Sequence, residues 1–139
     1  METPREISRN YSSNPKPLGD YSALMIVFSI LAALFTTLLK ACGRSLPERM
    51  PLPDVLLLGA ASHKISRLVA KDKVTSPIRA PFTRYEEHAG PAEVEEKPRG
   101  SGLQRTVGEM ISCPYCLDVW VASVLSAGLV LLPRPTRLV

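Results

Sequence analysis

The chain is poor in aromatic residues and in cysteine. Phe, Tyr and Trp together make up 6% of its 139 residues, and it holds three cysteines, Cys42, Cys113 and Cys116. Three cysteines do not build the disulfide framework of a small secreted domain. Scarce aromatics, together with 13 prolines, argue against a large soluble core. There is no internal repeat, no phosphate-binding glycine loop and no His-Glu-x-x-His pair, so phosphate-loop and zinc-protease chemistry have no motif to rest on.

Hydrophobic residues are present in ordinary amount, 45%, but they gather in three runs with the charges between them. The first run, Tyr21 to Ala41, has no charge from Tyr21 to Leu39. That stretch makes about 28 Å of helix, which matches a hydrocarbon core of about 30 Å. A cleaved signal sequence has a shorter apolar region of about 7–15 residues, so a retained membrane helix is expected. The third run, 113–132, starts with Pro114 in the first helical position, where a missing N–H is harmless, and is stopped by Pro133 and Pro135. Small residues such as Ala122 and Ser126 admit a close neighbour. The second run, 54–70, carries His63, Lys64 and Arg67. Its cations lie near one end and can snorkel, so it is expected to span the membrane or to form a re-entrant helix.

The expected fold is therefore all-α: an integral membrane protein of about three transmembrane helices and a partly disordered cytoplasmic loop. Residues 1–20 are expected to form a disordered tail, 71–112 the loop with a flexible linker at 86–104, and 133–139 a short tail. With three spans, twelve of the 17 Lys and Arg residues fall on the side of the N-terminus and the long loop, and five on the other. The positive-inside rule then places the N-terminus in the cytoplasm and the protein in the cell (inner) membrane.

In the loop, Lys71 to Tyr85 is basic and mixed with apolar residues, whereas the stretch from Glu86 is acidic and rich in Pro and Gly. Phe82 and Tyr85 are the only aromatics of the basic part, too few for stacking on bases, so nucleic acid is not an expected partner. Anionic lipid headgroups or an unidentified membrane protein suit the charge better. Arg79 and Arg84 are expected to meet headgroups or an acidic partner, and Thr75, Ser76 and Pro77 to form a turn or cap.

"SCPYC", Ser112 to Cys116, places Cys-x-x-Cys at a helix start. Free N–H groups there stabilise a thiolate, making Cys113 and Cys116 a candidate redox pair. A glutaredoxin has this motif after a strand, and "GLQRTVGEMIS" offers none, which favours a packing or assembly role. The two cysteines are also weak candidates for metal. A zinc site needs four ligands, and His63 and His88 form no spaced pair. Two copies of the chain, each giving Cys113 and Cys116, would supply four thiolates. No cofactor is expected. Asp118 and Arg67 each lie about 6 Å inward from the same face, so Asp118 is expected to pair with Arg67, or with Lys64 one turn deeper, because intramembrane charges usually pair; the alternative is that Asp118 sits in headgroup water at the helix N-terminus.

The stretch "HKISRLVAKDKVTSPIRAPFTRYE" followed by "GEMISCPYCLDVWVA" resembles a group of small bacterial membrane proteins, the domain of unknown function 1360 family, which includes sporulation-associated members. The resemblance rests on Arg67, Leu68, Asp72, Thr75, Pro77, Arg79, Cys113, Pro114, Cys116 and Trp120, and covers roughly residues 54 to 132. It implies a multi-helix membrane protein and no known reaction. The expected working surface comprises Asp72, Thr75, Pro77, Arg79, Arg84 and Trp120 beside the cysteines. The expected role is a structural or interaction component, with a membrane-bound thiol–disulfide oxidoreductase and a small pore-former or holin as alternatives.

Overall fold

The computed structural model describes residues 18–44 and 46–137, with Thr3, Glu6 and Tyr11 besides. The expected disordered tail, 1–20, lies for the most part outside the described residues, and its last three residues begin the first helix. Helix α1 is Leu18–Ala41, α2 is Leu52–Lys71 and α3 is the single turn Ser76–Arg79. Strands β1, Thr83–His88, and β2, Val94–Pro98, follow. Then come α4, Gly102–Ser112, α5, Pro114–Leu131, and the short α6, Pro133–Thr136.

Local chemistry sets these boundaries. Pro53 and Pro114 sit in the first turns of α2 and α5, where their missing N–H costs no hydrogen bond. Gly43 takes φ 66° just beyond α1, and the N–H groups of Gly43 and Arg44 close on the carbonyls of Lys40 and Leu39. This is the left-handed helix ending that glycine permits.

The main packing is α2 along α5. The two run antiparallel. Near one end Ser66 Oγ donates to Asp118 Oδ1 at 3.3 Å, and near the other Asp54 pairs with Arg137 at 2.7 Å. The face of α2 turned inward carries Ser62, Ser66 and Ala70, all buried and spaced by four. Side chains this small bring two backbones close.

Helices α1 and α5 have a different character. Among their residues only Leu39 is buried, and their mean hydropathy reaches 2.3 and 1.6. Among the described residues these two helices are long and apolar enough to cross a membrane. Helix α1 joins the rest through α4 and through Phe28, whose ring meets Trp120 edge-on with centroids 5.2 Å apart.

The chain is mostly helical, as expected, and departs from an all-α fold in one small element: residues 83–98 form an antiparallel hairpin. Thr83 pairs with Pro98, Arg84 with Lys97, Tyr85 with Glu96, Glu87 with Glu95 and His88 with Val94, with an irregularity between Tyr85 and Glu87. The expected flexible linker, 86–104, is therefore a strand end, a turn, a second strand and the start of α4. Four of its acidic residues meet cations, three of them outside the segment and one within it. Glu93 meets Arg67, Glu95 meets Lys71, Glu96 meets Arg79 and Glu86 meets Lys97.

Candidate functional site at the polar end of the helix pair

The C-terminus of α2 leaves carbonyl groups without helical partners and carries the negative end of the helix dipole. The segment after it, "TSPIR", supplies what those groups lack. Arg79 Nη1 donates to the carbonyl of Val69 at 2.5 Å and to Thr75 Oγ1 at 2.6 Å, and Nη2 donates to the carbonyl of Asp72 at 3.0 Å. Thr75 Oγ1 in turn donates to the carbonyl of Leu68 at 2.7 Å. The guanidinium is fully buried.

A buried cation needs a counter-charge, and Glu96 of β2 provides it. Arg79 Nε reaches Glu96 Oε2 and Nη2 reaches Glu96 Oε1, both at 3.0 Å, in a two-pronged pair. Ser76 Oγ donates to Glu96 Oε1 at 3.0 Å, and Thr83 Oγ1 lies 2.6 Å from Oε2. Burial pushes the Glu96 carboxyl up, but hydrogen bonds from Arg79, Thr83 and Ser76 outweigh it and hold the group below the ordinary carboxylate range. Among the described residues no buried side-chain polar atom is left without a partner.

This geometry revises the expected working surface. Arg79 is buried and pairs with Glu96 of the same chain rather than with headgroups or a separate acidic partner, and Thr75 is buried beside it. Asp72 accepts from the N–H of Val74 at 2.9 Å and turns the chain out of α2. Pro77 and Arg84 are exposed. The expected pair of Arg67 with Asp118 does not form. Arg67 donates to Glu93 from Nε at 2.9 Å and from Nη2 at 3.1 Å, and Asp118 instead accepts from Ser66. Arg67 leans toward the hairpin because Glu93, just before β2 and bridged to Asp72, brings a carboxylate to the outer side of α2, whereas Asp118 lies on the inner side. Glu93, Glu95 and Glu96 carry the site, and the sequence reading assigned them no role. Their signal was an acidic run lying in the same loop as a basic one.

The cysteines stand at the entrance to α5. Cys113 is its N-cap, and its Sγ accepts from the N–H of Cys116 at 3.4 Å. Burial pushes the Cys113 thiol up. Hydrogen bonds from Cys116 and from the N–H of Tyr115, with the charge of Lys71, bring it below the ordinary thiol range. Both cysteines are free thiols, and Cys42 is free and exposed. Cys116 lines a cavity of about 370 Å³ with Glu109, Thr106 and Trp120. Glu109 there accepts from the hydroxyl of Tyr21, tying α1 to α4. No cluster of three or more metal-ligating side chains occurs among the described residues. His63 is exposed on α2 and His88 ends β1.

Sequence comparison places these elements in a family. The model of a family described as a protein of unknown function, DUF1360, matches residues 57–139. The stretch holds most of α2, the hairpin, α4 and α5. The chain is 29% identical over 86 residues to the sporulation protein YjcA of Bacillus subtilis (strain 168), covering 60% of this chain and 73% of that protein. It is 31% identical over 88 residues to the UPF0713 protein YngL of the same organism, covering 63% of this chain and 65% of that protein. The chain thus matches just under two thirds of the length of the second relative. No solved structure matches it. The chain belongs to the DUF1360 family, as its motifs led us to expect.

Proposed function

We propose that this member of the DUF1360 family is an integral membrane protein of the bacterial cell membrane that acts as a structural or interaction component, with a cytoplasmic polar cap. One observation carries the reading. α1 and α5 turn apolar side chains outward along their length, and Leu39 is the only buried residue of the two helices. In water such surfaces would be a large exposed apolar patch, and in lipid they are satisfied. Helix α2 packs along α5 and shares its depth, so it crosses with α5. Its Arg67 and Lys71 are neutralised by Glu93 and Glu95 where the helix leaves the bilayer. The excess of Lys and Arg on the cap side argues that this side is cytoplasmic.

The test is a pair of reporter fusions active only outside the cytoplasm. One is placed in the hairpin turn at Gly90 and the other after Val139. The reading expects silence from the first and activity from the second. Activity at Gly90 with silence after Val139 would overturn the orientation, and recovery of the chain in the soluble fraction would overturn the membrane reading.

A membrane-bound thiol oxidoreductase is the second reading, and the position of Cys113 favours it. Its thiol caps a helix N-terminus, lies close to Lys71 and has Cys116 one turn away. The sporulation role named for YjcA is carried over here only as a proposed cellular setting.

A further inference from the structure

We infer that the chain assembles head to tail with further copies of itself, Lys64 of one copy pairing with Asp118 of the next. The inference rests on the membrane-embedded reading above. Between α1 and α5 runs an apolar groove of about 710 Å³, walled by Phe28 and Phe35 on one side and Ser123 and Ala127 on the other. Its one ionisable lining residue is Asp118. Among the described residues the carboxylate of Asp118 has Ser66 Oγ as its hydrogen-bond partner and takes part in no ion pair. A carboxylate in a membrane groove calls for a cation at a fixed depth.

Lys64 is such a cation. It is exposed, and it forms no ion pair among the described residues. It cannot reach Asp118 of its own chain. Ser66 points at α5, and Lys64, two residues earlier, is turned away by about 200° around the helix. Its depth nevertheless matches. The contact of Ser66 with Asp118 sets the two helices level, and Lys64 is offset by only about 3 Å along the axis. Copies inserted in one membrane with the same orientation share their depths, so Lys64 of one lies level with Asp118 of another.

The outer face of α2 suits the groove. Leu56, Ala60, Lys64 and Leu68 recur every four residues and are all exposed. The small Ala60 allows close approach, while Leu56 and Leu68 offer apolar bulk on either side of the lysine. The donor stripe and the acceptor groove lie on different faces of one chain. The interface is therefore heterologous and builds a ring or a row rather than a closed two-fold dimer.

The test measures copies per particle for the full chain, by light scattering in mild detergent and by single-molecule photobleaching in bilayers. Wild type is expected to form assemblies of more than one copy. Lys64→Glu and Asp118→Lys should each raise the concentration at which they dissociate by about tenfold, the scale of one interhelical polar contact. Mixing the two single variants should restore assembly, because each then meets an opposite charge. Ser123→Trp, at an exposed position, should fill the groove and prevent assembly without disturbing the fold. Monomeric wild type in bilayers, single variants that assemble like wild type, or no rescue on mixing would each overturn the proposal. So would loss of a co-purified lipid from Ser123→Trp with assembly unchanged, which would make a lipid the occupant. Reporter fusions that place the chain in the membrane while it stays monomeric would overturn this inference alone. A soluble chain would overturn the reading beneath it.

Discussion

Along α1 and α5 the exposed side chains are mostly apolar and Leu39 is the one buried residue of the two helices, whereas in the cap the largest fully buried side chain is a guanidinium. The helical region uses small residues at its one close interface and leaves the rest of its apolar surface to the surroundings. The cap has few large apolar residues to bury, and it uses paired charges to fix one arrangement of α2, α3 and the hairpin. The lesson is that the solvent each region meets decides what its interior is made of. On the membrane reading proposed above, lipid satisfies the outside of the helices, and close packing of small residues with the Ser66–Asp118 hydrogen bond holds α2 to α5. Where water competes, a buried ion pair persists only if every hydrogen-bonding group around it is met, and around Arg79 they are.

The contrast breaks most sharply at the ion pair. Arg79→Ala leaves Glu96 charged and unpaired and should cost the cap about 3–5 kcal/mol. Proteolysis between residues 83 and 98 should become rapid while α1, α2 and α5 stay intact. Acid should act the same way. The Glu96 carboxyl is held below its ordinary range, so its contribution is fully present above the unfolded value of about 4.3. That contribution is lost as pH falls through the lower folded value. The cap should therefore loosen in acid before the helices do, and Glu96→Gln should remove that dependence.

A smaller effect is expected where the cap meets α4. A Cβ on Gly108 would clash with the carbonyl oxygen of Phe82 and come within 3.2 Å of Pro98 Cβ. Gly108→Ala should push α4 off the hairpin at a cost of about 1–3 kcal/mol, read as lower protection of β1 and β2. Ser112→Ala, one turn later, removes only a bond to the carbonyl of Gly108 within the same helix and should leave that protection nearly unchanged.

Surface pairs should matter less. Arg67 is half exposed, so Arg67→Gln should cost about 0.2–1 kcal/mol. A double-mutant cycle should show coupling to Glu93 and additivity with Asp118, and the reverse result would restore the pairing expected from depth alone. The smallest effect concerns the thiol. Cys113 should react with a thiol probe at a pH below that of a free cysteine, about 8.5, and Lys71→Gln should move that pH upward. A reversible disulfide with Cys116, formed and reduced by a low-molecular-weight thiol–disulfide couple, would strengthen the oxidoreductase reading.

Much of the helical region was legible in the chain. The uncharged stretch from Tyr21 to Leu39, and the run opened by Pro114 and closed by Pro133, mark α1 and α5 through length and punctuation alone. The family was legible because the Arg67, Thr75, Pro77, Arg79 and Cys113 motifs stand in order. The cap was not. An acidic, Pro- and Gly-rich segment reads as unstructured unless its cations are known, and those that order it lie up to 26 residues away in sequence, as Glu93 does from Arg67. Nothing local shows that Arg79 points inward, since its counter-charge arrives 17 residues later on another element. Depth along a helix was readable, which is why Arg67 and Asp118 were matched. The direction around the helix that separates them depends on how α2 sits against α5.

The most direct measurement is hydrogen exchange of the full chain in lipid nanodiscs, followed by peptide across three segments. We predict slow exchange in α1 and α5 and, equally, slow exchange at Arg84–Lys97 in wild type. In Arg79→Ala, exchange should accelerate at Arg84–Lys97 alone. Exchange of Arg84–Lys97 at the rate of a free chain in wild type would contradict the account, because the acidic segment would then be a linker and not a clamp on the end of α2.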